Sequence, residues 1–404
     1  MPEPATFVIV GGGLAAAKAC EALRDEGFDG RIVLIGREEH LPYERPPLSK
    51  GYLQGDSGRD EMVVHDRDWY DRNAVELRLG AEVTAIDPGG RTVTLAGGER
   101  IGYDKLLLAT GARPRRLAVP GADGPTVRYL RTVDDSERLR DTLAAAARIA
   151  IIGGGWIGLE VAAAARAAGA EVTVIESESA PLLRVLGPRI ADVFTKLHRE
   201  HGVEFAFGAR VAEITAAGVL LADGTRVDAD AVVVGVGAVP DTGLAEAAGL
   251  AVGDGIEVGA DLRTSDPDIF AAGDVAGAYH PLLERRVRVE HWANALNQPA
   301  VAARGMLGRP GGYENLPYFY TDQYDLGMEY VGHIPPGEDP DVVVRGDLDA
   351  REFIAFWLVA DRVVAAMNVN VWDVTDDTQA LIRSASPVDR DRLADPGTPL
   401  DRLV

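Results

Sequence analysis

Short, wholly apolar runs that break at a glycine cluster and continue into an alanine-rich stretch occur twice in this chain. Phe7-Val8-Ile9-Val10 leads into Gly11-Gly12-Gly13-Leu14-Ala15-Ala16, and Ile149-Ala150-Ile151-Ile152 leads into Gly153-Gly154-Gly155-Trp156-Ile157-Gly158. The first pattern predicts a strand over 6–10, a helix over 14–27 and a strand over 31–35 that closes at Gly36. Further strands are expected at 82–86, 91–95 and 105–109, the last closing at Ala109-Thr110-Gly111. Residues 112–124, with Pro114, Pro120 and Gly121, read as a linker. The second β–α–β pattern spans 148–175, with short strands near 203–207, 210–214, 218–221 and 231–235 and an end at Gly235–Asp241 that includes Gly237. Each half thus ends in an apolar strand and a small-residue turn followed by proline, so one architecture is repeated. Beyond it, a short buried strand delivers Ala272-Gly273-Asp274 to a strand end, and 293–307 reads as a helix. From about 320 the texture changes. Alternation at 342–344, 352–359 and 363–366 predicts an antiparallel sheet, followed by a helix at 374–384.

The glycines carry a geometric argument. In a strand–turn–helix that binds a dinucleotide, the first glycine makes the tight turn and the second lets backbone approach a pyrophosphate. The third position, here Ala16 or Gly158, lets helix and strand pack closely while the helix N-terminus faces the phosphates. Two such motifs imply two dinucleotides, for which a flavin and a nicotinamide are the obvious pair. Each unit also needs an acid after its second strand to accept hydrogen bonds from ribose hydroxyls. In the second unit this is Glu176. A carboxylate there repels a 2′-phosphate, and Ser177-Glu178-Ser179 supplies no arginine to hold one, so NAD is favoured over NADP. In the first unit Arg37 and Glu38 both stand at the equivalent place, Glu38 being the better chemical match.

Length and composition narrow the picture. A chain of 404 residues is expected to form two or three domains. Hydrophobic content of 47% and charged content of 26% are those of a globular protein, and no apolar run reaches membrane-spanning length. Residues 1–5 carry no positive start, so a cytoplasmic setting without a secretory signal is expected. The net charge of −22 argues against nucleic-acid or anionic-membrane binding. The single cysteine, Cys20, reads as a small buried helix residue, and it excludes a thiol pair. None of the seven histidines forms a ligand pattern, so no metal is expected. The tight basic run Arg285-Arg286-Val287-Arg288 reads equally as a solvated hairpin edge or a docking patch.

The most specific local segment is Leu41-Pro42-Tyr43-Glu44-Arg45-Pro46-Pro47-Leu48-Ser49-Lys50. With the two fingerprints, Ala109-Thr110-Gly111 and Ala272-Gly273-Asp274, it resembles the FAD-dependent ferredoxin reductases of bacterial cytochrome P450 and Rieske oxygenase systems. The resemblance covers residues 5–385. It implies an α/β, glutathione-reductase-like fold with two Rossmann-like dinucleotide-binding domains and an α+β C-terminal domain. The FAD domain is expected in two segments, 1–112 and 243–319, the NAD domain at 113–242 and the C-terminal domain at 320–404.

The resemblance also implies roles. Lys50 would lie near the flavin N5–O4 edge, stabilising charge on the reduced ring, and is expected to serve the reaction while leaving folding intact if replaced. Arg45 and Pro46 would line the cofactor, Val83 and Arg131 contact adenine and pyrophosphate, and Asp274 accept a hydrogen bond from a ribityl hydroxyl or cap a helix. Glu290-His291-Trp292 would precede a helix facing the flavin pyrimidine. Glu160 is either an acid near the nicotinamide or a carboxylate answering its helix dipole. Arg184 and Gly237 complete the nicotinamide set. Tyr318-Phe319-Tyr320-Thr321-Asp322-Gln323 is similar to a family segment that more often reads Trp-Phe-Trp-Ser-Asp-Gln, with Tyr320 screening the flavin. The implied activity is hydride transfer from NADH to FAD and release of two electrons, singly, to a [2Fe–2S] ferredoxin, by a monomer or weak homodimer. A rubredoxin reductase, an NADH oxidase and a signalling module like the apoptosis-inducing factors share this architecture and stand as the rivals.

Overall fold

The computed structural model describes residues 4–309 and 311–403. Along the chain, the first glycine motif lies in β1 (Thr6–Val10), α1 (Leu14–Asp25) and β2 (Arg31–Gly36), followed by β3 (Val75–Leu79) and β4 (Lys105–Leu108). Then come α2 (Val133–Ala145), β5 (Arg148–Ile152), α3 (Trp156–Ala167), β6 (Glu171–Glu176), α4 (Leu183–Glu200), β7 (Val203–Phe207) and β8 (Ala231–Val234). Strand β9 (Ile269–Ala271) and helix α5 (Trp292–Met306) precede a terminal group of β10 (Tyr318–Gln323), β11 (Leu326–Gly332), β12 (Asp341–Asp347), β13 (Glu352–Val359), β14 (Arg362–Val369) and α6 (Thr375–Ser384).

The contacts divide the chain into two compact units. One holds the chain up to Glu44, Arg59–Arg113 and Ala238–Pro317. Its parallel sheet has the order β9-β4-β1-β2-β3, and the central strands are buried along their length, which is why they read as unbroken apolar runs. Gly11 sits at φ +138°, and a Cβ there would meet the Ala109 carbonyl oxygen at 2.1 Å, so the β1–α1 turn admits only glycine.

The other unit holds Arg45–Gly58, Pro114–Gly237 and the chain from Tyr318. Its parallel sheet runs β7-β6-β5-β8 and ends on the short strand Val127–Arg128. The same steric logic recurs: a Cβ on Gly158 would meet the Gly153 carbonyl oxygen at 2.1 Å, so α3 packs onto β5 through bare backbone. The terminal strands form an antiparallel sheet in the order β10-β11-β14-β13-β12, with a buried aromatic and aliphatic face that includes Phe353, Trp357 and Met367. The segment Arg45–Gly58 is tied into this unit by Ser136 Oγ donating to the Leu48 carbonyl (2.8 Å) and Tyr52 Oη donating to Glu137 (2.7 Å), with Leu53 buried beside Leu139 and Val161.

Several elements differ from the sequence pattern. Strand β3 and helices α2 and α4 were not expected, and part of the expected linker, Ala112–Pro114, is a strand. Helix α2 carries four acids and two arginines among its apolar positions, and its start is set by a local device, the Thr132–Asp135 capping box. Helix α4 is broken by non-helical Gly187 followed by Pro188, which disrupts the period that a window would detect. Cys20 is fully buried in α1, and desolvation pushes its thiol far above the usual range, so it is chemically inert.

Candidate functional site

In the first unit, two features make room for an anion. Helix α1 begins at Gly13 with no acid in its first turn and no side chain capping it, and a Cβ on Gly13 would meet nothing within 4 Å. An open, uncapped N-terminus behind β1 suits a pyrophosphate, with the backbone of Leu14, Ala15 and Ala16 entering the helix. Glu38 accepts a hydrogen bond from Tyr43 Oη at 2.6 Å, whereas Arg37 is exposed and 3.9 Å from Glu82. The strand ends are held together by Ala109 N donating to Val10 (2.8 Å), Thr110 Oγ1 donating to the Asp241 carbonyl (2.7 Å) and Asp241 N donating to Gly111 (2.9 Å). Gly273, at φ +82°, follows β9 by way of Ala272, and its N–H is held by the buried Gln298 side chain at 2.8 Å; this fixes the turn that presents Asp274. Trp292 Nε1 donates to Glu44 at 3.2 Å, which places the start of α5, with Glu290 and His291 just before it. Val83 is buried at the start of the strand Val83–Asp87.

The basic run forms an edge strand, Arg285–Val287, paired with the strand before it, and Arg285 and Arg286 are exposed there. Arg286 donates to the carbonyls of Val258 (2.6 Å) and Gly277 (2.8 Å), and Arg288 is paired with Asp254 (2.7 Å) and Glu290 (2.5 Å). Both guanidiniums have partners within the first unit, yet Arg286 stays exposed like Arg285, while Arg288 is half-buried.

The second unit repeats the open cradle. Helix α3 starts at Gly155, again with no acid in its first turn and no side-chain cap, and a Cβ on Gly155 would meet nothing within 4 Å. Ile157 is an exposed apolar residue on that first turn, beside Trp156. The Glu176 carboxylate is fixed by the N–H groups of Gly154 (2.7 Å) and Glu178 (2.8 Å) and by Ser177 Oγ (3.0 Å). Arg184 is paired with Glu178, not with Glu176. Gly237, at φ +98°, accepts from Arg115 N at 2.9 Å.

Glu160, Lys50 and Tyr320 converge within this unit. Glu160 is 3% exposed, one turn into α3. Its Oε1 accepts from Lys50 Nζ at 2.6 Å and from Thr321 Oγ1 at 2.5 Å, and its Oε2 accepts from Ser49 Oγ at 2.5 Å. Lys50 Nζ also lies 5.5 Å from the centre of the Tyr320 ring, in cation–π range. Arg45, two turns of chain earlier, donates to the Arg131 carbonyl, and Pro46 opens the short helical turn Pro46–Ser49 that delivers Ser49 and Lys50. The ion pair adds a structural role to the one expected of Lys50, so its replacement carries a stability cost. A carboxylate this deeply buried depends on its cation. Ser49, Thr321, Gln323 and His198 were given no role by the sequence. The signal was in β10, whose alternation places polar Thr321 and Gln323 at its two most buried positions, each 1% exposed.

His198, on α4, is fully buried, and desolvation pushes its imidazole down to about 4. Between pH 6.5 and 4 the unfolded chain binds a proton there that the native chain does not, so native stability falls as pH drops through that window. The loss should approach about 3 kcal/mol by pH 4. Denaturant unfolding at pH 7 and pH 4.5 should show a steeper acid loss for the parent than for His198→Gln; equal slopes would contradict the buried, neutral histidine.

Known proteins match this arrangement over its whole length. Residues 5–298 match the family model for pyridine nucleotide-disulphide oxidoreductases, and residues 318–404 match the reductase C-terminal model. The chain is 44% identical over 395 residues to the ferredoxin–NAD(+) reductase component of the anthranilate 1,2-dioxygenase system of Burkholderia cepacia, covering 96% of this chain and 97% of that one. It is 39% identical over 409 residues to putidaredoxin reductase CamA of Pseudomonas putida, covering 98% and 96%. Among solved structures, the covalent putidaredoxin reductase–putidaredoxin complex matches with a TM-score of 0.94 at 38% identity, over 99% of this chain and 98% of that one. The ferredoxin reductase for the CYP199A2 system from Rhodopseudomonas palustris matches with a TM-score of 0.94 at 38% identity, over 98% and 99%. With two glycine-led cradles, a buried lysine–glutamate pair and no second cysteine, the chain belongs to the pyridine nucleotide-disulphide oxidoreductase family, alongside the ferredoxin–NAD(+) reductases it resembles over nearly its whole length.

Proposed function

We propose that the chain is an NADH-dependent FAD flavoprotein that delivers electrons to a small [2Fe–2S] ferredoxin serving a cytochrome P450 or Rieske oxygenase, in the cytoplasm. The observation that carries the reading is the buried Lys50–Glu160 pair beside Tyr320 in a chain that has one inert thiol. Disulfide reductases of this fold class relay electrons through a cysteine pair. Here the corresponding turn reads Arg45-Pro46-Pro47-Leu48-Ser49, so electrons must leave without a thiol.

The residues divide the work. Gly11, Gly13 and the α1 start, with Glu38, Arg45, Pro46, Val83, Ala109, Thr110, Gly111, Arg131, Gly273, Asp274 and the α5 start, form the proposed FAD set. Gly153, Gly155–Gly158, Glu176, Arg184 and Gly237 form the proposed NADH set. Bound FAD would supply the conversion of a hydride into single electrons. Lys50 supplies positive charge where reduction develops negative charge, and Glu160 fixes that ammonium in place. Tyr320 packs against the lysine and presents an aromatic face.

Glu176 carries the nucleotide preference. Held by two backbone N–H groups, its carboxylate is poised to accept ribose hydroxyls and to repel a 2′-phosphate. NADH should exceed NADPH in kcat/KM by at least about tenfold, roughly 1.4 kcal/mol. Glu176→Arg should narrow that gap markedly. Equal kcat/KM for the two nucleotides in the parent would defeat the assignment.

A further inference from the structure

Three side chains connect the Glu160–Lys50 pair to the interior of the second unit. Thr321 Oγ1 donates to Glu160 Oε1 at 2.5 Å, Gln323 Nε2 donates to Thr321 Oγ1 at 3.2 Å, and His198 Nε2 lies 2.8 Å from Gln323 Oε1. All are buried: Thr321 and Gln323 are 1% exposed and His198 is 0% exposed. We infer that Thr321 is a positioning residue for the Glu160–Lys50 pair, locked in its donating rotamer by Gln323 and His198.

The argument is one of donor bookkeeping. A threonine hydroxyl has a single hydrogen, and it donates either to Glu160 or to Gln323. Were the Gln323 amide reversed, its oxygen would face Thr321 and draw that hydrogen away from the carboxylate. With the Gln323 oxygen facing Nε2, the compatible neutral tautomer of His198 carries its hydrogen on Nε2, and in that tautomer a reversed amide would set N–H against N–H. With Nε2 donating, Nδ1 of the neutral ring is an acceptor, and it has no side-chain or backbone partner among the described residues. In this tautomer every donor in the chain points toward Glu160. A side-chain amide holds orientation but does not hand a proton on, so the chain sets geometry and is not a proton path.

Removing the Thr321 hydrogen leaves Glu160 Oε1 to Lys50 alone. The carboxylate then neutralises more of the ammonium's field, and a reduced, anionic flavin is stabilised less. The expected shift is toward a more negative flavin potential and slower oxidation of NADH, on the scale of one hydrogen bond to a charged group. This inference rests on the reading of Lys50 and Glu160 as the pair that serves a bound flavin.

The test compares the FAD-loaded parent, Thr321→Val, Thr321→Ser, Gln323→Met and the neutral pair Lys50→Met with Glu160→Gln. The flavin midpoint potential is measured against equilibrating dyes, and NADH Kd and flavin bleaching are measured by stopped flow. Thr321→Val should lower the potential by about 30 mV, a tenfold change for a two-electron couple. It should slow bleaching about tenfold with NADH Kd within about twofold, and Thr321→Ser should recover both. A structural role alone would lower thermal stability without moving the potential. If Thr321→Val keeps the parent potential while the neutral pair shifts it, the positioning role is wrong and the pair's role stands. If the neutral pair also keeps the parent potential, the reading beneath it fails. Should Thr321→Val not retain FAD, Gln323→Met decides: a smaller shift of the same sign is expected, and an unchanged potential overturns the inference.

Discussion

Lys50→Met is expected to lower stability by about 3 kcal/mol, because it strands the Glu160 carboxylate in a site that is 3% exposed. Two hydroxyl donors, Ser49 and Thr321, remain, and they do not neutralise a buried charge. Adding Glu160→Gln to the same chain should recover most of that loss, since a neutral amide satisfied by the hydroxyls costs far less to bury. Urea unfolding of the parent and both variants, all loaded with FAD, reads this directly. The catalytic effect should behave in the opposite way: NADH-driven flavin bleaching should be slow in both variants. Stability recovered with rate still lost would separate the pair's two roles. A Lys50→Met protein as stable as its parent would show that the ion pair contributes nothing to the fold.

Gly13→Ala should fold normally and lose its flavin. Gly13 has an ordinary backbone φ of −104°, and a Cβ there meets nothing within 4 Å, so the protein itself has no reason to reject alanine. Removing a glycine's unfolded-state freedom should even add about 0.4–1 kcal/mol to the apo protein. A methyl in the cradle displaces a pyrophosphate from the α1 N-terminus, and each charge-assisted hydrogen bond lost costs at least about tenfold in affinity. Gly11→Ala offers the contrast. It should damage the fold itself, because its Cβ would sit 2.1 Å from the Ala109 carbonyl oxygen. Calorimetry of the apo proteins and FAD titration distinguish the cases. Gly13→Ala that binds FAD like its parent would show that the open cradle is not the phosphate site.

The parts of the fold that were legible from sequence are those where burial is total. Strands β1, β2 and β5 are apolar runs with a polar residue only at the start, and β6 is interrupted by Thr173 alone between its end glutamates. The turns into α1 and α3 were legible because Gly11 and Gly158 are required by contacts of about 2 Å. Helices α2 and α4 were not, since one begins by a local capping box among charges and the other is interrupted at Gly187 and Pro188. In the site, Glu176 followed from its place after a strand. Lys50, Glu160 and Tyr320 came from the resemblance, and their convergence was invisible because they are separated by 110 residues or more. The hydroxyls around Glu160 carry no sequence signal for the same reason: serine and threonine signal nothing until a carboxylate is seen beside them. In the arginine run, charge counted along the sequence does not show the ion pairs that Arg286 and Arg288 make with Glu257, Asp254 and Glu290.

The proposed electron route is tested most directly by NADH-driven reduction of cytochrome c, assayed with and without an added [2Fe–2S] ferredoxin. The reductase account predicts a slow background that rises with ferredoxin concentration and saturates, while direct NADH–ferricyanide turnover needs no ferredoxin. A rate that ferredoxins from oxygenase systems leave unchanged, with NADH instead consumed by oxygen or by rubredoxin, would contradict it.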